Sequence, residues 1–271
     1  MNLIYIAARV VRHFLPEGVT RMLLRQSMVI KPGLETREPA QAAARYQQVI
    51  TNHGKELQGK HILVFGYGGR YAIGVELLRL GAAKVTMTDL YAPPDDRRND
   101  HLLPEFIDYL ERKDGKVIPK GDRLILAHGD IREISRASSG AMYNYIVSTS
   151  VYEHLSDVDG ITSALSHLLK PDGCFIAFID LRDHFFKYPF EMLTFSESIW
   201  RHWLNPTSHL NRLRLRDYQR VIDRKFTLTK WQVLETDLPE FLKIKSRILP
   251  EFLTGDDEID AVTQAMLFAV K

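Results

Sequence analysis

Residues 61–89 read HILVFGYGGRYAIGVELLRLGAAKVTMTD, and this stretch decides the fold. An apolar run from Ile62 to Phe65 stops at a glycine-rich turn, apolar residues recur at helical spacing through Leu80, and a second β-branched run ends at Asp89. Strand, turn, helix and strand in that order make a βαβ unit, the opening of an α/β sheet. Gly66 and Gly68 stand where the first strand stops. Without a Cβ the backbone can bend sharply there and leave amide N–H groups bare for a ligand to lie against. Asp89 closes the second strand, where one carboxylate can accept hydrogen bonds from both hydroxyls of a ribose. The pattern therefore implies a nucleoside. A dinucleotide fingerprint would need a small residue at position 71, and Tyr71 argues against a pyrophosphate.

Downstream the pattern continues. Residues 92–100, APPDDRRND, hold two prolines and a run of charges with no apolar face, which predicts a loop. Residues 102–113 have a helical period, with Leu103, Phe106, Ile107 and Leu110 on one side. A third strand is expected at 123–127, a fourth ending at Ser148, a helix at 157–169, a turn at 170–173 and a fifth strand at 174–180. A helix at 217–224, a sixth strand at 226–235, a helical stretch at 239–259 and a closing strand at 265–271 follow. Parallel strands joined by helices place a ligand at their carboxyl ends, where Gly66, Asp89, Asp130, Ser148 and Asp180 would converge. Asp130 alone reads as a turn residue or helix cap. Its place between Asp89 and the next motif makes it a ligand candidate.

These residues together resemble the class I S-adenosylmethionine-dependent methyltransferases. The turn is Gly66-Tyr67-Gly68, followed by Ile73-Gly74-Val75-Glu76-Leu77-Leu78 and Gly81-Ala82. Residues 145–155, YIVSTSVYEHL, match the motif after the fourth strand, a small polar residue followed by V-x-E-H. The L-K-P-D-G of residues 169–173 also fits, although any helix-to-strand connection could use it. The resemblance runs from about residue 55 to the end. It implies an α/β, Rossmann-like, seven-stranded sheet, mostly parallel with an antiparallel last strand, with helices on both faces. It also implies an enzyme using S-adenosyl-L-methionine. Gly66, Tyr67, Gly68, Leu90 and Ser148 would line the cofactor, Asp89 would take its ribose, and Asp130 with Ile131 its adenine. Two positions depart from the family: Val64 replaces its usual acid, and the third glycine is replaced around Gly69-Arg70. Other groups must then hold the methionine end. Glu153 and His154 either contact substrate or, as in many relatives, brace the loop. No H-x-x-x-H or similar pair stands here, so no metal site is expected.

A length of 271 residues suits one large α/β domain with accessory segments, here a helical extension over 1–54 and the methyltransferase-like domain over 55–271. A formal net charge of +2 with mixed signs gives no polyanion signature, so nucleic acid is not an expected partner. The single cysteine, Cys174, excludes an internal disulfide framework and suits a buried thiol in a reducing cytoplasm. Leu3, Ala7, Val10, Val11 and Phe14 share a helical face, with Arg9, Arg12 and His13 opposite. Arg9 comes too early for a signal peptide's core, and nothing approaches the ~20 apolar residues of a membrane span. Arg9, Arg12, Arg21, Arg25 and Lys31 against Glu17 alone would suit peripheral contact with an anionic membrane; a helical pair docked on the domain is the plainer reading. Lys31-Pro32-Gly33 breaks the helix, and Pro39 opens another to about residue 53.

Residues about 181–215 are dense in aromatic residues, histidine and arginine, a composition suited to gripping a polar ring. Following the fifth strand, they read as a substrate lid, with Asp183 and His184 nearest the cofactor. For methyl transfer to an oxygen, or less readily a nitrogen, of a small or glycan-like acceptor, His184 is the candidate base and Asp183 or Asp180 its orienting partner. Capping the insertion is the alternative role of His184. Arg182, Arg212 and Arg214 could hold an anionic or hydroxylated acceptor by forked donation, though each alone is more often a surface charge. Residues 180–184, DLRDH, and 211–214, NRLR, resemble a bacterial subgroup of which some members serve glycan assembly. A non-catalytic protein of this fold that binds nucleoside or scaffolds partners is the competing reading. The oligomeric state is not legible.

Overall fold

The computed structural model describes residues 2–14, 34–185, 187–205 and 209–271. The chain enters through α1 (Leu3–Phe14), a helical turn at Leu34–Arg37 and α2 (Pro39–Asn52). Pro39 sits in the first turn of α2, where its missing N–H would have had no partner anyway. The βαβ unit is β1 (His61–Phe65), α3 (Ala72–Arg79) and β2 (Lys84–Asp89). Next come α4 (Asp96–Asp100), β3 (Leu110–Lys113), β4 (Lys116–Pro119), β5 (Leu124–His128), α5 (Ile131–Ala137), β6 (Tyr143–Thr149), α6 (Val158–Leu168) and β7 (Leu169–Asp180). After residues 181–214, α7 (Leu215–Ile222), β8 (Leu228–Thr236), α8 (Leu238–Ile244) and β9 (Val262–Val270) follow. The seven-stranded sheet runs β5-β2-β1-β6-β7-β9-β8. From β5 to β7 the pairs are parallel, and β9 lies antiparallel between β7 and β8. The winding reverses between β1 and β6, which opens a crevice at the carboxyl ends of those strands.

Period-two alternation assigns the core. Ile62 and Val64 of β1 face the layer of α2 and α3, while Leu63 and Phe65 face α5, α6 and α7. Ile62, Val85, Met87, Ile146, Val147 and Phe175 are fully buried, each contributing about 1.5–3 kcal/mol. Ala42, Ala43, Tyr46 and Ile50 of α2 belong to this core, so that helix is part of the sheet's cover. A third cluster gathers Tyr5, Phe190, Met192, Leu193, Trp200, Leu204, Leu210 and Phe241. The aromatic residues of the 181–215 segment thus bury largely one another and α1.

Four expectations change. Residues 102–113 do not form one helix: turns lead to the hairpin β3–β4, whose tip is Asp114 (φ 50°) and Gly115 (φ 76°). Asp-Gly at positive φ is the tight-hairpin signal, and it overrides the helical spacing. Within 92–100 the structure forms α4, capped by Asp95, whose side chain accepts from the Arg98 N–H. The stretch 239–259 is helical only over α8 and short turns at Lys245–Arg247, Pro250–Phe252 and Asp257–Asp260. Helix α1 docks, but by its Tyr5–Arg9 side, while Leu3, Ile4, Val11 and Phe14 face outward. Glu17, Arg21, Arg25 and the Lys31-Pro32-Gly33 break lie outside the described residues. No helix among the described residues is long and apolar enough to cross a membrane.

Candidate functional site

The end of β1 shapes the crevice. Gly66 has φ +83°, and a Cβ there would collide with Val151. Gly68 has φ +64° and its Cβ direction meets nothing within 4 Å, so that face of the turn is open. The turn is pinned from outside by buried Asn99 of α4, which accepts from the Tyr71 N–H at 2.9 Å and donates to the Gly69 carbonyl at 3.0 Å. Asn99 was hidden in a stretch that reads as a charged loop. One carboxylate oxygen of Asp89 accepts from the Gly68 N–H at 3.0 Å; the other accepts from the Tyr91 and Ala92 N–H groups at 2.9 and 2.8 Å. A carboxylate has about four acceptor sites, so this one is fixed in direction and can still receive a hydroxyl. Leu90 beside it is 41% exposed.

A cavity of about 720 Å³ lies against this turn at the ends of β1, β6 and β7. Gly66, Tyr67 and Gly68 line it, with Asp180, Arg182 and His184 from the far end of β7. Its volume falls within the range of small-molecule sites. Burial, then the nearby Asp89 charge, pushes the Tyr67 hydroxyl up to about 12. The wall beside Val64 carries residues that sequence reading missed. Arg45 of α2 pairs with Glu35 at 2.7 Å, and its guanidinium lies over the Phe178 ring at 3.6 Å. The Tyr46 hydroxyl meets the Thr149 hydroxyl at 2.6 Å. Nothing in the local sequence marks a helix some twenty residues before the glycine turn as part of its cavity.

Other expected residues lie elsewhere. Asp130 caps α5, accepting from the Arg132 N–H at 2.8 Å and from both sides of that guanidinium, while Arg132 also reaches Asp157 at 2.6 Å. Arg132 holds the Asp130 carboxyl below the usual carboxylate range. Asp130, buried Ile131 and buried Ser148 do not line the cavity; Thr149 and Ser150 do. The expected convergence is therefore met by Gly66 and Asp180, with Asp89 joined through Gly68.

The two arginines after Asn211 correct the substrate-binding expectation. Arg212 is buried and donates to the Met192 and Phe195 carbonyls and to Glu197. Arg214 is buried and donates to the carbonyls of Leu181, Asp260 and Val262. Burial brings its guanidinium down to about 10. Both hold the segment's backbone where water cannot, and neither lines the cavity. Asp183 is wholly buried and accepts from the Tyr5 hydroxyl, the Arg9 guanidinium and the Phe185 N–H. It anchors α1 and is not the orienting partner expected for His184. Arg182 forks onto Asp180 at 2.7 and 2.9 Å beside the cavity.

Glu153, His154 and His184 come together across two loops, with their ligand-type atoms within 4.8 Å of one another. The turn Tyr152–His154 is clamped by Asn211, whose side chain donates to the Tyr152 and Leu155 carbonyls and whose backbone N–H donates to the Glu153 carbonyl. The Tyr218 hydroxyl joins the clamp by donating to the Asn211 side chain at 3.0 Å. Glu153 is buried, and neither carboxyl oxygen finds a hydrogen-bond partner among the described residues. Burial pushes its carboxyl well above the usual range. The rings of His154 and His184 meet edge to face at 4.9 Å. Burial, then the neighbouring His154, lowers His184 to about 3, so its imidazole is neutral at physiological pH.

Comparison with solved structures gives a likeness of fold. Haemonchus contortus phosphoethanolamine N-methyltransferase 2, solved with phosphomonomethylethanolamine and S-adenosylhomocysteine, aligns at TM-score 0.53 and 16% identity over 84% of this chain and 53% of its own. The chain thus spans about half the length of that enzyme. A candidate sarcosine dimethylglycine methyltransferase from Galdieria sulphuraria aligns at TM-score 0.52 and 16% identity over 87% of this chain and 91% of its own. The CMeT domain of citrinin polyketide synthase aligns at 0.52 and 14% over 94% and 57%. No family model and no curated protein matches. The architecture is the Rossmann-like methyltransferase fold.

Proposed function

We propose that the protein is an S-adenosylmethionine-dependent methyltransferase that moves the sulfonium methyl to an oxygen of a small or glycan-like acceptor. The observation that carries this reading is the carboxylate of Asp89, fixed by the Gly68, Tyr91 and Ala92 N–H groups and thereby tied to the glycine turn whose Gly66, Tyr67 and Gly68 line the cavity. The residues present fit the cofactor. Asp89 takes the ribose, the open side of Gly68 admits its backbone, and the Glu35–Arg45 pair supplies the charges that an amino-acid end needs where Val64 offers none. When bound, the cofactor supplies an already activated methyl group.

The chain's own part is positioning. In-line displacement requires nucleophile, methyl carbon and sulfur on one line, and a closed wall around the transfer point favours it. Tyr5 and Arg9 hold Asp183, which fixes the start of the 181–215 segment and therefore His184 at the cavity wall. A neutral imidazole there offers one ring nitrogen as a lone-pair donor at the cavity wall. Arg37, Arg70, Arg98 and Arg182 among the lining residues favour an acceptor bearing hydroxyl or acidic groups.

The test is calorimetric titration of the full chain with S-adenosylmethionine and S-adenosylhomocysteine, followed by an acceptor screen beginning with nucleotide sugars. Saturable binding of both, and tritium transfer from labelled cofactor to one acceptor class, is the expected result. No binding of either at millimolar concentration would replace this reading with that of a non-catalytic scaffold.

A further inference from the structure

We propose that Glu153, His154 and His184 form a three-ligand site for a divalent transition-metal ion of the zinc class, at the wall of the cavity. Among the described residues they are the one group of three such side chains with ligand atoms within 4.8 Å of one another. The donor set is two imidazole nitrogens and one carboxylate, which suits zinc and its neighbours and suits magnesium or calcium poorly. Three protein ligands with an open fourth position is the arrangement of catalytic zinc.

An independent observation points the same way. Glu153 is 3% exposed and neither carboxyl oxygen has a hydrogen-bond partner among the described residues. A buried carboxyl without a hydrogen-bond partner costs stability. A cation between the three side chains would satisfy it. In a tetrahedral zinc site with bonds of about 2.0–2.1 Å, ligand atoms lie roughly 3.3 Å apart, so the three would draw inward by about an ångström. Their backbones are held on both sides: Asn211 and Tyr218 clamp the Tyr152–His154 turn, and Asp183, gripped by Tyr5 and Arg9, fixes the residue before His184. Asn211, Asp183 and the EH pair thus bear on the cavity wall although none of them lines the cavity. His184 does line it, so the open position faces the incoming ligand. That this ligand is the acceptor oxygen rests on the methyl-transfer reading; metal binding does not.

The experiment uses full-length protein freed of metal by chelation and titrated with cobalt(II) chloride, followed by visible absorption and by competition with zinc. One equivalent should bind and give the intense visible bands of a low-coordinate, nitrogen-liganded cobalt ion, and zinc should abolish them. Glu153→Gln, His154→Ala and His184→Ala should each weaken binding at least tenfold. His154 is exposed, so H154A carries the test even if E153Q, at a buried site, fails to fold. No stoichiometric band in the wild type, or a band that survives unchanged in H154A and H184A, overturns the site. S-adenosylhomocysteine is titrated into the same samples: cobalt binding without nucleoside binding keeps the metal site and removes the methyltransferase reading, and the reverse removes the metal site alone.

Discussion

Asp89 and Asp183 are both acids that sequence reading placed beside the cofactor, and the structure puts them to opposite uses. Asp89 ends β2 at the surface, accepts only backbone N–H groups, and keeps acceptor capacity for a ligand. Asp183 lies wholly buried three residues beyond β7, and its oxygens are occupied by Tyr5, Arg9 and the Phe185 N–H. An acid that meets only local backbone can be read from its neighbours. One whose partners lie more than 170 residues away cannot. The difference separates the sheet's carboxyl edge, proposed to bind the nucleoside, from the 181–215 segment, which holds that edge's wall in place.

The largest effect should come from breaking the buried pair. Asp183→Asn leaves Arg9 buried beside a neutral amide, and loss of one partner of such a pair costs about 3–5 kcal/mol. Urea denaturation should show this, with Arg9→Met recovering part of the loss in the double variant. Gly66→Ala comes next: positive φ and the collision with Val151 predict roughly 2 kcal/mol of destabilisation. Gly68→Ala, with open space at its Cβ, should lose less stability but obstruct nucleoside binding, so thermal melts and calorimetry would rank the two glycines oppositely.

Smaller is the effect of Arg45→Met. If the Glu35–Arg45 pair grips the amino-acid end, S-adenosylhomocysteine affinity should fall about tenfold, or roughly 1.4 kcal/mol, while methylthioadenosine, which lacks that end, should bind as before. Equal losses for both would move the pair away from the ligand. The smallest effect concerns His61, at the opposite end of β1 from the cavity. Burial, then Lys84 and Lys170, lowers its imidazole from 6.5 to about 4. The unfolded chain therefore takes up a proton that the folded chain refuses, and stability falls as pH drops through that window. His61→Gln should flatten the decline between pH 6.5 and 4 by on the order of 1 kcal/mol, discounted for the half-exposed ring. A decline unchanged in the variant would assign it to other groups.

The sheet was legible because its signals are local. Alternation in β1 and β2, the glycines between them and Asp89 at the end of β2 all lie within 29 residues of sequence, positions 61–89. The hairpin β3–β4 was hidden by a helical spacing of apolar residues, although Asp114-Gly115 announced it. In the NRLR stretch, composition suggested acceptor-binding arginines, whereas Arg212 and Arg214 bind carbonyls and Asn211 clamps the Tyr152–His154 turn. Arginine count cannot tell a guanidinium facing ligand from one facing backbone. The Glu153, His154 and His184 cluster escaped a search by spacing because its members belong to loops 30 residues apart.

The most direct measurement is calorimetric titration of S-adenosylhomocysteine into Asp89→Asn and Asp183→Asn side by side, with the wild type as reference and each protein below its own melting temperature. Loss of a charge-assisted hydrogen bond to the ribose predicts roughly a 10- to 100-fold weaker association for Asp89→Asn, with only about 1 kcal/mol of stability lost as one oxygen that accepts backbone N–H becomes an amide donor. Asp183→Asn should melt far earlier yet bind within a fewfold of wild type. Wild-type affinity in Asp89→Asn would contradict the assignment of this sheet edge as the nucleoside site.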